Sequence, residues 1–177
     1  GKMENPHFFI ENQHGGSNPH SELDFRTSAR LIIDHVNQGV DIGKKHNLPQ
    51  KILDFIRTHH GTSTVQYFYR SFINSNPDEE VDISEFTYPG PKPSSKENAV
   101  LMMADSVEAA SRTLKVYTSE SISDLVEKIV RQQAEEDQFS EADITFGDIS
   151  AIKEIFKNRL SNIYHNRIEY PELKKEP

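Results

Sequence analysis

The sequence predicts an all-α domain, and three observations carry that prediction. Apolar residues recur at three- and four-residue spacing through most of the chain. Alternation with a period of two never persists beyond a few residues, and no repeat or low-complexity tract interrupts the pattern. The 177 residues suit one domain with a sizeable core. With no cysteine in the chain, disulfides, zinc–thiolate sites and thiol catalysis are excluded, so any metal must be held by His, Asp or Glu. A formal net charge of −8 disfavours broad DNA binding, which needs a basic face. It leaves room for a small anionic ligand held by a metal and a few local cations. No apolar run approaches the roughly 20 residues that span a bilayer.

Residues 1–24 are rich in His, Asn, Gly and Pro and read as an ordered loop, pinned to a core by Phe8, Phe9 and Ile10. From about Phe25 to His46, Ala29, Ile32, Ile33, Val36 and Val40 fall at helical spacing, with His35 at the edge of the stripe. Pro49 suits the first turn of a second helix, on which Ile52, Phe55, Ile56 and His59 share a face. A third helix is expected over about 62–73. Residues 74–96 are Pro-rich, and at that length the connection is expected to be a functional or mobile loop at the surface. Ser94 and Glu97 match a capping box that opens a helix over about 95–113, carrying Ala99, Met102, Met103, Val107 and Ala110. Asp105 lies close to that apolar face, where a carboxylate needs a partner. Two further amphipathic helices follow, one around Ile122–Val130 and one around Ile149–Ile163. The expected total is six or seven helices.

The segment "RTHHGT" raises a question of its own. Two adjacent histidines before Gly61 suit a helix C-terminus, where cationic or polar groups meet the negative end of the helix dipole and glycine supplies a left-handed stop. They also suit a metal site. Adjacent residues of a helix point about 100° apart, so His59 and His60 converge on one ion only at a helix end. His35 comes from another helix and Asp105 from a third, and helical bundles build metal sites from such facing positions. Nitrogen and oxygen donors without thiolate fit Fe, Mn, Ni or Zn. His7, His14, His20, His46 and His165 read as loop or surface residues, with His20 a possible site-lining exception. The run Tyr67-Phe68-Tyr69-Arg70 is either core plus rim or a stacking wall for a nucleobase with Arg70 near a phosphate.

A longer pattern runs in order over nearly the whole chain: "GKMENPHFFIENQ", "NPH", "ARLIIDHV", "LPQKILDFIRTHHGT", "YFY", "FTYPGPKPSSKE", "ADSVEAASR" and "NRIEYPEL". It resembles the cytoplasmic HD domain of the seven-transmembrane HD proteins, bacterial membrane-anchored phosphodiesterases of cyclic di-AMP. The resemblance implies an HD-superfamily helical domain over residues 1–177 and a site of two divalent metal ions, commonly Fe or Mn. It implies His35, His59, His60 and Asp105 as ligands, and cyclic di-AMP opened to linear pApA as the reaction. It places the parent at the cytoplasmic face of the plasma membrane, held by a segment outside this sequence, with a homodimer compatible. Lys2 is then the candidate phosphate contact and catalytic cation, and Asn12 or Gln13 the candidate ribose or base contacts. The family signature is His-Asp, one residue, then Gly-Lys, and this sequence opens at that Gly1-Lys2. The domain is therefore expected to be incomplete at its N-terminus and, alone, poorly active or inactive. A regulatory, cyclic-dinucleotide-binding module without turnover is the alternative.

Overall fold

The computed structural model describes residues 1–9 and 19–165. Six α-helices run through them: α1 Phe25–Lys45, α2 Gln50–Thr58, α3 Gln66–Ser75, α4 Lys96–Ser111, α5 Ser119–Glu135 and α6 Phe146–His165. Single 3₁₀ turns occur at Pro6–Phe8, Pro19–Glu22 and Ile83–Phe86. The described residues contain no named strand; Thr64 and Thr87 form one isolated antiparallel bridge.

Local chemistry sets most helix ends. Asp24 caps α1 by accepting from the Thr27 amide at 2.9 Å and the Thr27 hydroxyl at 2.7 Å, which satisfies an otherwise orphan donor. Lys44 and Lys45 occupy its last turn, where cations meet the dipole favourably. Pro49 is the residue just before α2 rather than in its first turn. The expected Ser94–Glu97 box is replaced by a cap one residue later: Ser95 accepts from the Asn98 amide at 3.3 Å. Thr118 and Ser121 cap α5 reciprocally.

The apolar side chains collect in two clusters. The larger joins Ala99, Met102, Met103 and Val107 of α4 to Ile122, Val126 and Val130 of α5 and to Ile152 and Leu160 of α6. The smaller joins Ala29 of α1 to Phe68 and Phe72 of α3 and to Phe86. Helices α1 and α2 meet at close range because Gly39 and Gly43 carry no side chain. A Cβ at Gly39 would stand 2.9 Å from Ile56 Cγ2, and one at Gly43 would stand 2.6 Å from Leu53 Cδ2.

Two expectations need correction. Helix α3 begins at Gln66, not near 62, because residues 63–65 are paired elsewhere. The Val65 amide donates to Phe86 O at 2.7 Å and the Tyr88 amide to Ser63 O at 2.9 Å. The Pro-rich connection is correspondingly not a surface excursion over its whole length: Phe86 is fully buried and Tyr88 is buried with it. In its described residues the N-terminal loop is pinned as expected, while Ile10 lies outside them. Phe9 is buried, and His20 Nε2 donates to Phe8 O at 2.9 Å while its ring sits 4.9 Å from that of Phe68.

Candidate metal centre

The histidine pair lies where α2 stops. Thr58 is its last residue, His59 still has helical backbone angles, and Gly61 then takes φ +51°, the left-handed stop glycine permits at no steric cost. This ending turns His60 out of the helix path and lets both imidazoles face α1. The ligand-competent nitrogens of His35, His59 and His60 all lie within 4.8 Å of one another. The Asp105 carboxylate, from α4, comes within 3.8 Å of His60 Nδ1.

The tautomers follow from the hydrogen bonds. His35 Nδ1 donates to Ile32 O, and His59 Nδ1 donates to Ile56 O at 2.7 Å. Each bond uses a carbonyl three residues back on the same chain segment, and each leaves Nε2 with its lone pair exposed. The two Nε2 atoms face each other at 3.1 Å. Two lone pairs at that distance repel unless a cation lies between them. Nitrogens bound to one ion at about 2.1 Å are themselves about 3.0 Å apart when at right angles and about 3.4 Å apart in a tetrahedron. The backbone carbonyls play the part that fixes ring orientation in metal-bound histidines. The donor set therefore fits a divalent metal ion.

Burial keeps the imidazoles in their metal-binding, neutral form. It pushes His35 down to about 4, against a partly offsetting bond to Ile32 O. Burial also lowers His59, with the nearby Asp105 charge opposing it. His60 falls well below its ordinary value, again through burial, reinforced by the neighbouring His59 and His35. Burial raises the Tyr88 phenol.

A cavity of about 540 Å³ opens beside this cluster, lined in part by Lys2, His35, His59 and Asp105. Its other wall is apolar: Ile52, Phe55 and Ile56 of α2 and Leu101 of α4. The α2 face that the sequence marks as apolar thus fronts the cavity. Leu53 and Thr58, off that face, are the side chains that pack inward.

The structure brings together His35, His59, His60, Asp105 and Lys2. Tyr67, Tyr69 and Arg70 do not line this cavity. The register of α3 sends Phe68 and Phe72 inward, leaving Tyr67 70% exposed, Tyr69 against Phe86 and Arg70 bonded to Gln66 at 3.1 Å. Asn12 and Gln13 lie outside the described residues. Sequence reasoning missed Tyr88, whose ring stacks on His60 at 4.3 Å, and the edge of Phe9 against His35 at 5.4 Å. Both sit in segments whose aromatic residues were the available signal. It also missed the tight seat of Gly1, where a Cβ would fall 1.6 Å from His35 O.

An all-helical domain that gathers three histidines from two segments, with a carboxylate from a later helix beside them, agrees with what the resemblance to HD-superfamily domains implies. No family model matches the sequence. The chain is 39% identical over 176 residues to the cyclic-di-AMP phosphodiesterase PgpH of Bacillus subtilis (strain 168), an alignment covering 99% of the chain and 24% of that protein. It superposes on the crystal structure of the L. monocytogenes phosphodiesterase PgpH HD domain with a TM-score of 0.86 at 36% identity, covering 93% of this chain and 76% of that one. With the same domain in complex with cyclic-di-AMP the TM-score is 0.88 at 37% identity, over 92% and 75% of the two chains. The chain belongs to the PgpH HD-domain family. It spans about a quarter of the length of the curated relatives it matches.

Proposed function

We propose that this chain is the hydrolytic domain of a cyclic di-AMP phosphodiesterase that opens its substrate to linear pApA. The observation that carries the reading is the 3.1 Å approach of His35 Nε2 and His59 Nε2, with His60 and the Asp105 carboxylate within reach. Its support from relatives is the HD domain crystallised with cyclic-di-AMP. His35, His59, His60 and Asp105 would hold divalent metal, and we propose two ions, Fe or Mn. When bound, they supply Lewis-acid polarisation of the phosphoryl oxygens and a nucleophile at neutral pH.

The chain's own residues then account for the remainder. Lys2 places a cation on the cavity wall, where it offsets the charge of a diester phosphate and the negative charge that grows on it during reaction. The apolar wall of Ile52, Phe55, Ile56 and Leu101 offers a surface to an adenine ring. Opening one diester adds one water: its oxygen bonds to phosphorus, the bond to the departing ribose oxygen breaks, and that oxygen takes a proton. Tyr67, Tyr69 and Arg70 remain candidate contacts only for parts of the substrate reaching outside the cavity, and Asn12 and Gln13 candidate ribose or base contacts. No helix of the described residues is long and apolar enough to cross a membrane. Attachment at the cytoplasmic face of a membrane, and any dimer, are proposed for the protein outside this stretch.

The test is turnover of cyclic di-AMP by the whole protein, with Mn²⁺ and with chelator, followed by separation of the linear product. Metal-dependent formation of pApA is expected. Nucleotide binding without turnover in any metal would replace this reading with the regulatory module.

A further inference from the structure

Of the three histidines, His60 is held differently. The rings of His35 and His59 are each anchored on a carbonyl of their own segment. Among the described residues, no backbone group bonds the His60 ring; it lies between Tyr88, stacked at 4.3 Å, and Asp105. Its place therefore depends on the backbone of the turn that carries it, His59-His60-Gly61-Thr62.

That turn is gripped from far away in the chain. The Thr62 amide donates to Gln138 Oε1 at 2.9 Å, across 76 residues. Gln138 Nε2 lies 3.1 Å from Thr62 Oγ1 and 3.1 Å from Glu136 O, so the carboxamide is tied at both ends. It is only 2% exposed. The turn is shaped to receive it: a Cβ on Gly61 would come within 2.4 Å of Gln138 Oε1.

The grip continues toward the carboxylate. The Gln138 main-chain amide donates to the Gln133 main-chain carbonyl at 3.0 Å, which joins the two residues through the backbone, and Gln133 Nε2 donates to Ser106 Oγ at 2.8 Å. Ser106 adjoins Asp105. Gln133 is 6% exposed, beside the apolar cluster of α4 and α5. Buried carboxamides are costly in such surroundings unless they are hydrogen-bonded; that of Gln133 is bonded through Nε2, while its Oε1 has no partner among the described residues.

We propose that Gln138 and Gln133 form a positioning relay that joins the His60 turn to the Asp105 segment and holds the imidazole and carboxylate at the spacing a shared metal centre requires. The relay rests on the metal-centre reading. Neither glutamine touches substrate or metal; both act through Thr62 and Ser106. The relay is bonded at both ends before any ligand arrives, so it presets the centre.

The test is calorimetric titration of Mn²⁺ into the protein and into Gln138→Met, with thermal melts alongside. Gln138→Met is expected to remain helical and to melt cooperatively, yet to bind Mn²⁺ roughly tenfold more weakly, in the range found when groups supporting metal ligands are removed. Turnover of cyclic di-AMP is expected to lose kcat with KM little changed. Ser106→Ala, at the other end, should weaken Mn²⁺ binding less, and the double variant should lose no more than Gln138→Met alone, because both changes break one relay. If Gln138→Met does not fold, Ser106→Ala and Gln133→Met decide the matter by the same titration. Variants that melt lower but bind Mn²⁺ as the parent does would overturn the relay and leave the glutamines as scaffold. A parent protein that binds no Mn²⁺ would overturn the metal-centre reading itself, and the relay with it.

Discussion

The halves of this domain divide labour unevenly. Helices α4, α5 and α6 share the larger apolar cluster, built from ten buried residues, yet contribute only Asp105 to the candidate centre. Helices α1 and α3 share with Phe86 a cluster of four buried residues, three of them phenylalanines, and α1 and the turn that ends α2 carry all three histidines. Between α1 and α2 the packing relies on two glycines rather than on large side chains, and the apolar face of α2 is left fronting a cavity. Hydrophobic burial is thin where the chemistry is placed, because a site must keep space and polar groups that a well-filled core excludes.

The largest effect expected from this contrast is functional. His59→Ala or His60→Ala should reduce turnover at least about a thousandfold, which is about 4 kcal/mol of barrier, while thermal melts of the metal-free protein stay close to the parent's. A large drop in the metal-free melting temperature would show that the pair is structural.

Next come the two cores. Ile122→Ala should cost about 2–5 kcal/mol and Phe86→Ala about 3–5 kcal/mol in urea unfolding. The distinction lies in their side effects. Phe86 is two residues from Tyr88, which stacks on His60, so Phe86→Ala should also weaken Mn²⁺ binding under conditions where the variant is folded. Ile122→Ala should leave it unchanged. Equal losses of affinity in both would show that the two halves are not separable.

A third expectation concerns acid. His35 has a folded-state value of about 4 against about 6.5 when unfolded. Between those values the unfolded chain binds the proton and the folded one does not, so stability falls as pH falls. In chelator, the full depression is worth about 3 kcal/mol, lost progressively from near pH 6.5 down to about 4. His35→Gln should flatten that slope in urea titrations at successive pH values. An unchanged slope would mean that other groups govern the acid limb.

The smallest effect should come from the other half's surface. Lys153 bridges α6 to Glu127 of α5 at 2.7 Å. Exposed and half-buried pairs of this kind contribute about 1 kcal/mol or less, so Lys153→Ala should shift the melting temperature slightly and leave Mn²⁺ affinity alone.

Much of this domain could be read before its structure was seen, for identifiable reasons. The helices were legible because their periodicity is local, set by contacts three and four residues apart. The stop at Gly61 was legible because few residues other than glycine enter the left-handed region at low cost. His35, His59, His60 and Asp105 stood out because their side chains are the metal-binding types of a cysteine-free chain, in an order that matches a known family. The late start of α3 was not legible, since it depends on residues 63–65 pairing with 86–88. The same holds for Tyr88 on His60, and for the roles of Gln133 and Gln138, whose partners lie 27 and 76 residues away. Nothing in a glutamine's neighbours along the chain shows which distant amide it will meet. Helix formation follows from the chain's own spacing, but the meeting of two polar groups across a core depends on how the helices pack, and only the folded molecule settles that.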